Sequence, residues 1–568
     1  MGGQGLPTTI TVATDGNQTK LFQGLSLTIT ATVMHLHGRS PGVTWSLSGA
    51  NCPNNCGSLS TTSANPVTYT APQTVSANFT VTVTATADAD ATLKASVNLN
   101  IVSAPCPSGN DAVLNGQYAF LLQGSDSSGI VATAGSFTAD GAGNITAGLE
   151  DISRKFGNLL PPMTILSQGS SYSVGPDNRG CLTLVNSQNM TTMFRFAVGA
   201  IISGTASKGR IIEFDDASGT GTRAEGIIRK QDPTAFSTTK FVGNYVFGWV
   251  GVDPASGNRT VSAGVVNASM PGLISTGKVD TNDAGTVSNA IVAGSGISLA
   301  ANGRGTIVLN LQGAPGPSII FYMVSSQEII TLSAPGTAPI QTGEFFQQAM
   351  ISFTNSTLNA DAVAYSSGFQ SSSAGPDVSI GLVTPDGMGN FTLVADTNSA
   401  GTFVPMQSFA GTYSVSSDGR TTTTGITSNS PIFYLTNTNS GVILGTGPTA
   451  DFGYFEPQVG GPFTNSSLSG MFFWGTDSAS AASRPTTSGS LTFDGIGNYM
   501  GNEDDSTPTG LTPSKALSNT YSFSLTSSTP GRGTLESNSN TVAYIISSRK
   551  LVFFDKTAAK PSLTIVER

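Results

Sequence analysis

Charge is scarce in this chain: Asp, Glu, Lys and Arg together make up 10 % of its 568 residues. The 25 Lys and Arg form no cluster, so a surface that tracks phosphates cannot be assembled and nucleic-acid binding is excluded. No run of about 18 apolar residues occurs, so no transmembrane helix is expected, and no basic amphipathic stretch offers a membrane-surface anchor. Histidine is nearly absent. His35 and His37 share one strand face in Met34-His-Leu-His-Gly38, where they could grip zinc or copper only with a third ligand that the neighbourhood does not supply. With both histidines near the N-terminus, a Ser-His-Asp relay cannot form anywhere in the later part of the chain. Tryptophan is rarer than cysteine, with Trp45, Trp249 and Trp474 alone, which is few for an aromatic-lined sugar cleft. The four cysteines fall into two pairs. Cys52-Pro-Asn-Asn-Cys56 spans one short loop, and Cys106 and Cys181 remain, so disulfides and an oxidising compartment are expected rather than a metal.

What the chain has in abundance is short alternating strands. Apolar residues reach 38 %, interleaved with Gly, Ser, Thr and Asn, and the net charge of −9 is thinly spread, a composition unlike that of disordered chains. A phrase then recurs at domain length. The openers are Leu114-Asn-Gly-Gln-Tyr-Ala-Phe120, Phe241-Val-Gly-Asn-Tyr-Val-Phe247, Leu358-Asn-Ala-Asp-Ala-Val-Ala-Tyr365 and Leu468-Ser-Gly-Met-Phe-Phe-Trp474. A hairpin follows as Asp140-Gly-Ala-Gly-Asn144, Asp386-Gly-Met-Gly-Asn390 and Asp494-Gly-Ile-Gly-Asn498, and each copy ends in Gly and often Gln. Repetition of this kind marks one foldable unit copied four times. The expected organisation is all-β: a sandwich over 8–103, a Pro-rich linker, and antiparallel barrel-like repeats over 111–237, 238–352, 353–464 and 465–568. Sequential strands with short turns suit an eight-stranded meander that closes on itself, with a sandwich as the competing arrangement.

Two resemblances sharpen this. The runs Gly42-Val-Thr-Trp-Ser-Leu47, Asn65-Pro-Val-Thr-Tyr-Thr-Ala-Pro72 and Val81-Thr-Val-Thr-Ala85 resemble bacterial immunoglobulin-like domains of surface and secreted proteins, which implies a spacer or adhesive module with Trp45 as its core plug. The repeats, with Tyr172-Ser-Val174, Arg179-Gly-Cys-Leu-Thr-Leu184, Arg304-Gly-Thr-Ile-Val-Leu309, Tyr413-Ser-Val415, Asp418-Gly-Arg420, Tyr521-Ser-Phe523 and Arg532-Gly-Thr-Leu-Glu536, resemble lipocalin-like barrels of secreted bacterial proteins. That second likeness rests on turn and core residues and implies a fold.

Candidate sites are few. Asp140 with Asn144, and Asp494 with Asn498, could seat calcium together with Glu150 and Asp151 in the first repeat and Glu503, Asp504 and Asp505 in the fourth. Calcium needs several oxygens converging on one point, and hairpin turns and solvated strand ends account for the same residues more simply. Asp280 and Asp396 stand at the corresponding positions of the other copies. Phe247 and Trp249, and Phe473 and Trp474, could line barrel mouths that hold a sugar or an apolar ligand, or could simply fill the barrels. No cofactor is called for, calcium being the one metal these residues suit. The function expected from the sequence is a secreted or cell-surface bacterial structural or adhesive protein without catalytic activity, touching an extracellular glycan or surface protein. The alternatives are a glycan- or lipid-binding protein that uses barrel mouths, and a carboxylate-dependent polysaccharide hydrolase. The Gly-rich start after Met1 is read as that of a mature exported chain or of a lipoprotein trimmed of its anchor.

Overall fold

The computed structural model describes residues 7–35, 42–72, 75, 77–102, 106–155, 162–216, 221–369, 375–426, 429–477, 485–525, 529–535 and 540–568. His37 lies outside them, and of His35 only the backbone is described. Among these residues the chain is all-β, with strands joined by turns and short 3₁₀ segments. Contacts gather it into two compact units: Met1–Cys106 with Glu213–Arg223 and Ser506–Pro513, and Pro107–Ile212 with Ala224–Asp505 and Ser514–Arg568.

In the first unit the chain folds as a two-sheet sandwich. One four-stranded sheet orders Pro7–Thr14, Ser26–His35, Val67–Thr70 and Ser58–Leu59; the other orders Lys20–Phe22, Asp90–Val102, Phe79–Ala87 and Val43–Ser48. Inward residues such as Ile29, Val81, Val83 and Leu99 are buried while the threonines between them face outward, the alternation of a half-buried antiparallel sheet. Trp45 is buried as expected, and its indole N–H donates to the Ala64 carbonyl at 2.9 Å. Cys52 and Cys56 form a disulfide, Cys106 and Cys181 are disulfide-bonded as well, and no cysteine is free.

The second unit holds the four repeats. The first and third are closed eight-stranded barrels whose strands run from Asn115–Asp126 to Arg223–Lys230 and from Ala362–Phe369 to Phe452–Pro457. In the second repeat the pairings also run full circle. Gly243–Val252 pairs with Ile340–Gln347 at one side, and Arg304–Leu311 pairs with Ala314–Met323 at the other. In the fourth, the two edges of the sheet are Gly510–Thr520 and Ser522–Phe523, consecutive stretches of chain joined at Tyr521. Tyr172, Tyr413 and Tyr521 each send a hydroxyl to the carbonyl of the opening leucine of their own barrel, Leu114, Leu358 and Leu468, at 2.8, 2.8 and 3.1 Å. The recurring Tyr-Ser motif is therefore a latch between a mid-barrel strand and the opener.

The barrels pack on one another in sequence. Apolar side chains on the outer faces of the first and second interlock through Leu121, Ala132, Ile320, Tyr322 and Leu332. The second meets the third through Val246, Val265, Tyr434 and Leu444, and the third meets the fourth through Val363, Ile380, Tyr544 and Phe554. Many strands thus bury both faces, as in Arg259–Ala268, where nine of the ten residues are buried. Each of these three junctions also carries one repeated polar triad. Arg304 forks onto Asp151 of the preceding barrel at 2.7 and 2.8 Å, and Tyr322 donates to the same carboxylate at 2.7 Å. Arg420 and Tyr434 grip Asp280, and Arg532 and Tyr544 grip Asp396, in the same way. The last glutamine of each of the first three copies reaches forward too: the side-chain amides of Gln231, Gln348 and Gln458 donate to Met323, Leu435 and Ile545, each at 2.7 Å. The fourth junction returns to the first barrel. Arg179 donates to Asp504 at 2.9 Å, and Ala197 stands opposite Arg179 where the other copies have the triad tyrosine. A head-to-tail contact repeated four times has closed into a ring.

Candidate functional site

The barrel interiors differ in how they are filled. In each opener, the residues that point inward lie two apart, as the pleat requires. In the first barrel they are Tyr118, Phe120 and Leu122; in the second, Tyr245, Phe247 and Trp249; in the fourth, Phe472 and Trp474. Their rings interlock with others from the facing wall, Phe247 with Trp249 and Phe345 at centroid distances of 4.2 and 5.2 Å, Phe472 with Phe493 at 5.2 Å. The third barrel carries Ala362, Ala364 and Ser366 at the matching positions. Three aromatic or large side chains are missing from its centre, and a cavity of about 420 Å³ stands in their place.

The walls of that cavity are mostly apolar: Leu358, Val383, Phe391, Leu393, Phe409, Phe433 and Phe455. Several of these, including Val383, Leu393 and Phe433, keep partial exposure although they point into a barrel, because they face open space. One end is polar. Ser366, Ser379, Thr397 and Asp451 line both this cavity and an adjoining pocket of about 240 Å³ that also contains Asp377. Asp377 and Asp451 each keep one buried carboxylate oxygen without a hydrogen-bond partner. Burial, and then the neighbouring charge of Asp377, push the Asp451 carboxyl up to about 6. Burial raises Asp377 as well. An apolar chamber of several hundred Å³ with a few converging polar groups and a shifted carboxyl at one end has the character of a small-molecule site.

The residues singled out from the sequence fall elsewhere. Phe247 is fully buried and Trp249 and Trp474 are 4 % and 6 % exposed, so they are the packing of filled barrels rather than the lining of mouths. Phe473 points out of its barrel, where it meets Gly199 of the first; a Cβ on that glycine would lie 2.2 Å from the ring. The Asp-Gly-x-Gly-Asn loops are turns whose carboxylates are saturated by their own chain. Asp140 accepts from the backbone N–H groups of Ala142 and Asn144 and from the Asn144 side chain at 2.7, 3.0 and 2.7 Å, and Asp494 repeats the pattern with Ile496 and Asn498. In the third copy the Asn390 side-chain amide and the same backbone donors hold Asp386 down at about 2. The two glycines of each loop have positive φ, 80° and 95° at Gly141 and Gly143, which a side chain would resist.

The acidic strand ends are not solvated. Glu150, Asp151, Glu503 and Asp504 are all buried, and each is engaged: Glu150 by Asn186, Asp151 by the triad, Glu503 and Asp505 by Lys515, and Asp504 by Arg179. Among the described residues no group of three His, Cys, Asp or Glu side chains could hold a metal ion. Sequence reasoning treated Arg179, Arg304, Arg420 and Arg532 as turn and core residues, and took Ala362 and Ala364 only as part of an opener, not as site residues. The signal for the second pair was present, as small residues in one copy where the others carry aromatics. No protein-family model matches the chain, and no curated protein matches it.

Proposed function

We propose that this chain is an extracytoplasmic, non-catalytic binding protein in which the third barrel holds a small, largely apolar molecule and the other three barrels are scaffold. The observation that carries this reading is the exchange of the aromatic plug for Ala362, Ala364 and Ser366, with the cavity it leaves. An empty apolar space of this size would forfeit dispersion contacts along its whole lining, and natural interiors hold few such voids. By volume it is roughly three times the ~150 Å³ cavity that takes one benzene, which suits a ligand of roughly fifteen to twenty non-hydrogen atoms. The Asp451 end favours a ligand that carries a hydroxyl or amine donor at one terminus. The disulfides support an oxidising compartment. The four-barrel ring supplies the rigidity that a preformed site requires.

The test is a titration of the full chain with the neutral fluorophore N-phenyl-1-naphthylamine. Saturable binding of one molecule per chain is expected, lost in Ala364→Phe. Absence of saturable binding, or equal binding by that variant, would refute the assignment.

A further inference from the structure

Where the four barrels converge lies a second chamber, unlike the first in every respect. Its volume is about 680 Å³, and it narrows into a further space of about 130 Å³. All four repeats contribute. Cations come from the first and fourth, Lys208, Arg210, Arg229 and Lys550; carboxylates come from the second, third and fourth, Glu328, Glu344, Glu456, Asp477 and Glu567. In a chain with so few charged residues, nine of them line this one chamber.

The charges hold one another. Arg229 pairs with Glu328 at 2.7 Å, Lys550 with Glu456 at 2.6 Å, and Arg210 lies 3.6 Å from Glu567. The Tyr365 hydroxyl donates to Glu456 at 2.6 Å and that of Tyr454 to Glu344 at 3.1 Å. The pairing is incomplete, however. Glu344 is 9 % exposed, yet one of its carboxylate oxygens has no hydrogen-bond partner, and neither has the Nε of Arg210; the Glu567 oxygen without one is the oxygen that faces Arg210. Four cations face five carboxylates, so the charges nearly balance, and burial pushes the Glu344 carboxyl up to about 7. Such a lining attracts neither a phosphate nor a polycation. A carboxylate oxygen of Glu344 and the Nε of Arg210 are left without partners in its lining, and a hydroxyl is the uncharged group that can serve an acceptor and a donor alike. Three aromatic rings, Phe346, Tyr365 and Tyr454, stand against one another in the same wall at centroid distances of 5.9 and 6.4 Å. The C–H face of a pyranose packs well on such surfaces.

We propose that this chamber binds a neutral carbohydrate of one or two sugar rings, whose hydroxyls serve the acceptor and the donor that the protein leaves open. The volume is between four and five times that of the ~150 Å³ benzene-sized cavity, room for two substituted six-membered rings. This site lies across a wall of the third barrel from the apolar cavity, with Tyr365 and Phe455 lining both.

The experiment is calorimetric titration of the full chain with glucose, N-acetylglucosamine, maltose, cellobiose and N,N′-diacetylchitobiose, with gluconate and glucosamine as charged controls. At least one neutral sugar is expected to bind at one site per chain. Glu344→Gln should weaken it about tenfold, the loss of a hydrogen bond to a charged group. Ala364→Phe should leave it unchanged, and the sugar should not displace N-phenyl-1-naphthylamine. Failure of every neutral sugar to bind, binding of the charged controls alone, or binding untouched by Glu344→Gln would overturn the proposal. If Glu344→Gln does not fold, as judged by its urea transition, Tyr454→Phe decides by the same comparison, since Tyr454 donates to Glu344 and does not line the apolar cavity.

Discussion

Restoring the missing aromatic to the third barrel is the perturbation with the sharpest consequence. Ala364 stands where the other openers carry Phe120, Phe247 and Trp474, so Ala364→Phe asks the third barrel to become like its neighbours. A benzyl group suits a cavity of the ~150 Å³ that takes one benzene, roughly a third of the 420 Å³ cavity. Cavity volume costs ~24 cal/mol per Å³ in large-to-small core substitutions, so filling that much space is worth at most ~3.6 kcal/mol before side-chain ordering is subtracted. Fixing a phenylalanine rotamer and adjusting its neighbours takes back about 1 kcal/mol. A net gain of about 2 kcal/mol is expected in urea-induced unfolding, together with loss of apolar-probe binding. Most substitutions destabilise, so a stabilising large residue at an interior position is a strong result. A loss of stability, or a gain accompanied by undiminished probe binding, would show that the space is not the void described here.

Other expectations follow from the same geometry. Arg532→Ala leaves Asp396, which is fully buried, without its bidentate partner and should cost about 3 kcal/mol in urea unfolding; a change within experimental error would mean that the triad is ornamental. Asp451→Asn tests a raised carboxyl. Between about pH 4 and pH 6 the native state holds a proton that the unfolded chain has released, so this group costs stability as pH rises through that window. The variant should therefore be the more stable at pH 7, by at most about 3 kcal/mol and by less given the partial exposure of the side chain, and should match the wild type near pH 4. The opposite trend would refute the assignment. Calcium and EDTA should leave the unfolding midpoint unmoved, since the Asp-Gly-x-Gly-Asn carboxylates are already saturated by backbone and asparagine donors; a calcium-dependent shift would overturn that.

Much of the architecture was legible because the repeats impose it. Period-two alternation, the openers and the Gly-rich turns mark the strands, and the opener Leu114–Phe120 runs into the observed Asn115–Asp126. The stretch Met163–Ser170 escaped because its serines and glycine interrupt the pattern, while its pairing with Arg179–Asn186 holds it extended. The ring was not anticipated, although its signature was there. Runs such as Ile319-Ile-Phe-Tyr-Met323 are apolar without alternation, as strands buried on both faces must be. An arginine and an aspartate also recur in every copy of a chain that uses charge sparingly. A lone Asp280 or Asp396 looks like a solvated strand end when each copy is read by itself, since its partner sits in the next one. The cavity was hidden for a related reason. Aromatic residues drew attention as ligand contacts, yet inside a narrow barrel they are what removes the space for a ligand, and the informative residues were the alanines.

The most direct measurement is a crystal structure of the full chain under xenon pressure. Xenon enters apolar cavities, so density is expected inside the third barrel, beside Ala364 and Phe391, and in none of the other three. Xenon beside Trp249 or Trp474, or a third barrel that stays empty or has collapsed around Ala362 and Ala364, would contradict the account.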